Sequence, residues 1–204
     1  IADCVENFRK EKEFAELEIR LGTFSEGQFC PGVSKDVFFQ LERDLLDAPS
    51  LAADPGWIEH TDFHYTTSRN QTARTRVAYD TNNIELCKTH TIKSSQQNVI
   101  FRRTEGGDEA FRIACSTEEP LLDPPGTCLP THVRIKQRKC FRDVRNGSVV
   151  WSYELSKSWS ASSRDAVEHK QHTMEPVYEV ECELQDIGRS YVDRRSNVQV
   201  AQSL

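Results

Sequence analysis

With 204 residues the chain is long enough for one complete core, and 37% hydrophobic against 28% charged residues, without a long single-sign or low-complexity run, excludes an extended disordered protein. A net charge of −6 supplies no whole-molecule field to draw in a nucleic acid, so any polyanion site has to be local. Seven cysteines, odd in number and never in a CxxC pair, signal neither a disulfide framework nor a zinc site and fit a reducing compartment, and no apolar run approaches a membrane span.

One domain over 1–204 is expected, with 1–14 as a lead-in and 186–204 as a C-terminal helix or tail. No signal-peptide pattern is read at the start, although a chain beginning at Ile1 leaves room for an earlier extension. Residues 3–14, rich in Glu and Lys, read as a short helix or a charged lead-in. The first strand follows at AELEIRLG, and a loop is expected after Gly22. Ser34 then caps a run in which Val37, Phe38, Leu41 and Leu45 recur at helical spacing, ended by Pro49. Residues 47–57, with Pro49, Pro55 and Gly56, read as loop. Beyond it, β-type runs alternate with turn signals: strands at 58–66, 72–79, 84–93, 98–103, 110–117, 131–144, 149–159 and 173–184. The connections are Asp80 to Asn83, Gly106-Gly107, a Pro-rich Glu119 to Pro130, the hairpin signal Asn146-Gly147, and a polar 160–172. His169 and His172 fall in that last stretch without a matching ligand cluster and read as chance, as do the glycosylation patterns at Asn70 and Asn146.

The faces of these strands carry the chemistry. In YEVECEL, Glu179, Glu181 and Glu183 alternate with Val180, Cys182 and Leu184, so three carboxylates about 6.5 Å apart share one face. AELEIRLG repeats the pattern with Glu16, Glu18 and Arg20. Arg74 and Arg76 share a face, as do Lys88 and His90, Arg112 and Glu118, and Arg134, Lys136 and Arg138, while the opposite faces are mostly apolar or small. A sandwich with its charged faces in water is one reading. The other is a closed barrel with a polar lumen and an apolar outer wall covered by helix and terminal segments, in which acidic strands hold a hard divalent cation and basic strands hold phosphate. The second accounts for the three glutamates of YEVECEL, which would otherwise repel without compensation. Phosphate-loop, nucleophile-elbow and HExxH patterns are absent.

ELEIRLG at 16–22, RIKQRKCF at 134–141, ELSK at 154–157 and YEVECEL at 178–184, with weaker support from RTRVAYD and FRIACSTEEPL, resemble the metal-dependent RNA 5′-triphosphatases of fungi, protozoa and some viruses. These are members of the triphosphate tunnel metalloenzymes, and the resemblance spans most of 15–184. It implies a mainly β fold, a closed eight-stranded antiparallel tunnel with a few flanking helices. The implied reaction is hydrolysis of the γ-phosphate at an RNA 5′ end, the first step of mRNA capping, with Mg²⁺ or Mn²⁺ as cofactor. NTPs or tripolyphosphate are expected as further substrates with Mn²⁺.

By the same resemblance Glu16, Glu18 and Glu183 are direct metal ligands, and Glu179 and Glu181 hold the metal's waters. Arg76, Lys136 and Arg138 form the γ-phosphate clamp, and Glu118 orients the attacking water. Lys88, Arg112, Arg134, Glu154 and Lys157 complete the substrate-binding set. Arg20 stands where many superfamily members carry Lys, and Ser152 where fungal relatives carry a basic residue. Implied partners are the triphosphate end of RNA and a docking mRNA guanylyltransferase, with no membrane; a monomer is expected, although the family also contains homodimers. The implied location is the nucleus, or the cytoplasm for a viral enzyme. Alternatives are an inorganic or thiamine triphosphatase or nucleotide cyclase of the same superfamily, and a non-catalytic polyphosphate-binding module.

Overall fold

The computed structural model describes Glu6, Phe8 and residues 15–54, 56–67, 71–79, 84–102, 108–122, 129–145 and 148–185, the side chains of Gln96 and Ser148 excepted. In chain order the elements are β1 (Ala15–Ser25), β2 (Gln28–Pro31), α1 (Lys35–Asp47), β3 (Leu51–Ala53), β4 (Ile58–Thr66), β5 (Thr72–Tyr79), β6 (Glu85–Arg102), β7 (Glu109–Pro120), β8 (His132–Arg145), β9 (Ser148–Ala161), α2 (Arg164–Thr173) and β10 (Val177–Leu184). The C-terminal helix or tail, most of the 3–14 segment, and the Asp80 to Asn83, Gly106-Gly107 and Asn146-Gly147 turns lie outside the described residues; Glu6 and Phe8 are helical.

Eight strands close on themselves, all antiparallel, in the order β10-β9-β8-β4-β5-β6-β7-β1, with β1 returning to β10 through Glu18 opposite Glu183. Closure leaves no free edge around the ring. β2 hangs from β1, and β3 from β8.

The wall is apolar on the outside. Leu17, Ile113, Cys115, Val150, Trp151 and Leu184 form one buried cluster with Phe8 against it, while Phe38 of α1 packs on Phe141, Leu155 and Tyr178. Val167 of α2 joins Val133, Ile135 and Trp159 in a third. Apart from Val150, where the register of β9 against β8 slips, the strand residues among them have the parity opposite to the charged ones, so helices cover the outside while charge turns inward. α1 begins where expected: Ser34 Oγ accepts the Val37 N–H at 3.3 Å.

Four local expectations are corrected. The chain does not become a loop after Gly22: β1 runs on to Ser25, turns through Glu26-Gly27, both at positive φ, and returns as β2. Gly22 is required there, because a Cβ would lie 2.4 Å from the Cys30 carbonyl oxygen. The strands expected at 84–93 and 98–103 are one strand, β6, with its register shifted between Ser95 and Gln97; the bulge lets a polar SSQQN run pass without a break. Residues 47–57 contain β3, which borrows its pairing from the long β8. The polar 160–172 stretch is mostly the helix α2, capped by Ser163, so the strand after it starts at Val177 rather than 173. One buried Val in ten residues is too weak a period to read by eye. Cys30, Cys87, Cys140 and Cys182 are free thiols, and no described helix is long and apolar enough to cross a membrane.

Candidate active site

The lumen holds a cavity of about 430 Å³. Eight cationic and seven acidic side chains, with His64, line it. Strand pairing puts them there. Glu18 faces Ala114 of β7 and Glu183 of β10, Arg20 faces Arg112 and Glu181, and Asp62 of β4 lies between Arg76 of β5 and Arg134 of β8. Several of these groups are withdrawn from water: Asp62 and Lys136 are 2% exposed and Glu179 3%.

Charges buried this deeply persist only when paired, and every cation lining the cavity has an acid within reach. Arg76 grips Asp62 with both Nε and Nη2, at 2.7 and 2.8 Å. Arg74 meets Glu118 at 2.7 Å, Lys93 meets Glu16 at 2.6 Å, and Arg138 meets Glu154 at 2.8 Å. Lys136 lies between Glu181 at 3.2 Å and Glu179 at 3.4 Å, and Arg134 also bonds Glu179. Arg20 bridges Glu18 and Glu181, and Arg112 reaches Glu18 at 3.3 Å.

Glu183 breaks the pattern. Among the described residues no cation sits at ion-pair distance from it; burial, then Glu16 and Glu154, push its carboxyl up to about 8 despite Arg138. For Glu181 burial acts upward too, but Lys136, Arg20 and Arg138 outweigh it and hold the carboxyl well below the usual range. Burial likewise opposes ionisation of Asp62, and Arg76 overcomes it and lowers Asp62. His60 and His64 are pushed down to about 4 by burial, followed for His60 by Arg138; for His64, Asp62 opposes the shift and Arg74 adds to it.

Of the residues singled out from sequence, Glu16, Glu18, Arg76, Arg112, Glu118, Arg134, Lys136, Arg138, Glu154, Glu181 and Glu183 line this one cavity. Glu179 joins them through Arg134 and Lys136. Two do not come in. Lys88 is exposed and pairs with Val77 on the wall's outer face, because Arg76 aligns with Thr89 and Thr72 with Lys93, which sets the odd-numbered residues of this part of β6 inward. Lys157 also points outward, its Nζ 4.3 Å over the Trp57 ring. The cavity also contains residues to which the sequence reading gave no role: Asp62, His64, Arg74 and Lys93. Ile92 shares parity with Lys88 and His90, and that apolar neighbour was the available sign that this face is the outer one.

As a donor set the acids fit a hard divalent cation: the carboxylates of Glu16, Glu18 and Glu183 stand on paired strands, and among the described residues Glu183 has no cation at ion-pair distance. Glu16 and Glu18 are engaged by Lys93, Arg112 and Arg20, and among the described residues no three acidic, His or Cys side chains gather as an ion cage. The chemistry suits a polyanion arriving with its cation, each half taking the partners that the other releases.

No family model matches the chain, and no curated protein does. Solved structures do. The S. pombe Pct1 RNA triphosphatase superposes with a TM-score of 0.67 at 16% identity, covering 99% of this chain and 82% of that one. Pct1 in complex with the Spt5 CTD gives 0.67 at 18% identity over 95% and 82%. The Mimivirus mRNA capping enzyme's RNA triphosphatase domain gives 0.59 at 12% identity over 98% and 91%. At these identities the likeness is one of fold, the tunnel barrel.

Proposed function

We infer that the chain is a metal-dependent RNA 5′-triphosphatase, which removes the terminal phosphate of a 5′-triphosphate end and leaves a diphosphate for capping. The observation that carries this is the lumen itself: a closed wall that turns eight cations and a matched set of acids onto one cavity. Support for the RNA end as substrate comes from the fold shared with RNA triphosphatases.

In this reading Arg76, Lys136 and Arg138 hold the terminal phosphoryl group. Arg76 is preset by its fork on Asp62, and the two cations of β8 share one face. Glu118, fixed by Arg74, stands among these cations and orients a water in line with the terminal phosphorus. The water's oxygen bonds to phosphorus, the bond to the bridging oxygen breaks, and inorganic phosphate and an RNA diphosphate separate. Glu16, Glu18 and Glu183 would hold Mg²⁺ or Mn²⁺, with Glu179 and Glu181 toward its waters; the ion supplies neutralisation of phosphate charge. Docking of a guanylyltransferase, a monomeric state, no membrane association and a nuclear location, or a cytoplasmic one for a viral enzyme, belong to the same proposal.

The test measures phosphate release from 5′-triphosphorylated RNA, tripolyphosphate, thiamine triphosphate and ATP, with Mg²⁺ and with Mn²⁺. Preference for RNA, abolition by EDTA, and loss of turnover in folded Glu16→Ala, Glu18→Ala and Glu183→Ala are expected. Turnover of tripolyphosphate or thiamine triphosphate but not RNA would make it a small-molecule triphosphatase, and pyrophosphate release from ATP a cyclase. Binding without turnover of any substrate would leave a polyphosphate-binding module.

A further inference from the structure

A cavity of about 900 Å³, larger than that of the tunnel, lies outside it, between α2 and the outer faces of β4, β8 and β9. A second bay of about 480 Å³ adjoins it toward α1. Lys157, Trp159 and His172 border both, so the two form one elongated open groove. Nothing in the triphosphatase reading uses it.

Its charges differ from those of the tunnel. Arg164 is spent on Glu168 and Lys35 on Glu175. Lys157 has no carboxylate at ion-pair distance among the described residues; its ammonium rests on the Trp57 ring, with Phe39 at 5.5 Å. Among the described residues Glu59 has no cation at ion-pair distance: its Oε2 accepts from the amides of Gln171 at 2.8 Å and Gln137 at 3.2 Å. His172 is exposed beside Lys157 in both bays, and its ring bonds to no described side chain. One cation and one anion are thus held half-buried on a wall without counter-ions among the described residues, where each is worth more to a ligand than on open surface.

The aromatic rings narrow the occupant. Trp57 has Phe38 stacked at 6.2 Å and Lys157 above it, and Trp159 is built into the core with its Nε1 donating to the Met174 carbonyl oxygen at 3.0 Å. Neither offers the free ring face that nucleobase stacking needs. A polyphosphate would meet Glu59. An elongated groove with one positive and one negative anchor and Trp57 and Trp159 in its lining complements a chain that carries both charges. We propose that this groove binds an extended peptide segment of a partner protein, with an acidic side chain on Lys157 and His172 and a basic side chain on Glu59.

The probes are fluorescein-labelled peptides holding one Asp and one Lys apart by one to four Ala or Pro residues, titrated into the intact chain by anisotropy. At least one spacing should bind, more weakly as salt rises. Lys157→Glu and Glu59→Lys should each weaken it by about tenfold or more. The Lys157→Glu, Glu59→Lys double variant should prefer the peptide with Asp and Lys exchanged. Near-ultraviolet circular dichroism verifies that the variants fold, and the milder Lys157→Gln and Glu59→Gln serve if a reversal does not. Binding of no probe, binding indifferent to every variant, or displacement of the peptide by single-stranded RNA would overturn the assignment. Because the groove and the tunnel share no residue among those at stake, failure here leaves the triphosphatase reading intact, and the reverse holds.

Discussion

At the scale of single residues, Glu118 is where the proposed reaction separates holding a substrate from cutting it. It lies on β7 itself rather than beyond the strand's end, with Arg74 at 2.7 Å and Lys93 at 3.9 Å. An acid is unhelpful for binding phosphate and useful for orienting water. Glu118→Gln, which frees Arg74, should hold or raise affinity for tripolyphosphate in calorimetry while kcat falls about a hundredfold or more; joint loss of affinity and rate would put Glu118 in the cation's shell instead. Asp62 and Arg76 test a different property. Removing one partner of a buried pair leaves the other charge stranded, so Arg76→Ala should cost about 3–5 kcal/mol in urea unfolding, and Arg76→Met with Asp62→Leu should recover most of it without recovering turnover. Equal stability of single and double variants would show that the fork contributes nothing to the fold.

The element that best reports the tunnel's electrostatics is β4, whose inward side carries His60, Asp62 and His64. Both histidines titrate in the fold near pH 4, against 6.5 when unfolded. Between those values the unfolded chain binds more protons, so stability rises with pH through that window and falls as the pH drops toward 4. Both are part-exposed, so solvent screening makes the effect smaller than the full shift would imply. Asp62, depressed by Arg76, adds a loss of the same sign only at pH below the ordinary carboxylate range. His60→Asn with His64→Asn should flatten the pH dependence of the melting temperature between about 4 and 6.5. An unchanged slope would mean that the loss comes from other groups.

Across the whole molecule, the consequence of balanced charge is linkage. Glu16 and Glu18 are engaged by Lys93, Arg112 and Arg20, and the cations of the proposed clamp by Asp62, Glu154, Glu179 and Glu181. A cation arriving alone must break ion pairs and strand arginines, and a triphosphate arriving alone must strand carboxylates. Together they exchange partners at little change in net charge. Mn²⁺ should therefore bind about tenfold or more tightly when tripolyphosphate is bound to the inactive Glu118→Gln variant, after correction for Mn²⁺ held by free tripolyphosphate, and the reverse enhancement must match. Independent binding in calorimetry would show that the ion-pair network does not gate the site.

What the sequence determined by itself was parity. Alternation on β1, β8 and β10 fixes which side chains share a face, and three glutamates of one strand together with Arg134, Lys136 and Arg138 on another make an inward polar face the cheaper arrangement. The cap at Ser34 was equally local, and so legible. Parity says nothing about which face is inside on a strand whose two sides are both polar. There the choice belongs to the neighbouring strand: register with β5 turns Lys93 in and Lys88 out, and register with β4 and β8 brings Asp62 to Arg76 across fourteen residues of chain. Lys157 went to the outer wall for the same reason, since its neighbours Ser156 and Ser158 face the lumen across from Arg138 and Lys136. Pairing energies between distant segments are absent from a single strand's pattern, and only closure of the barrel decided them.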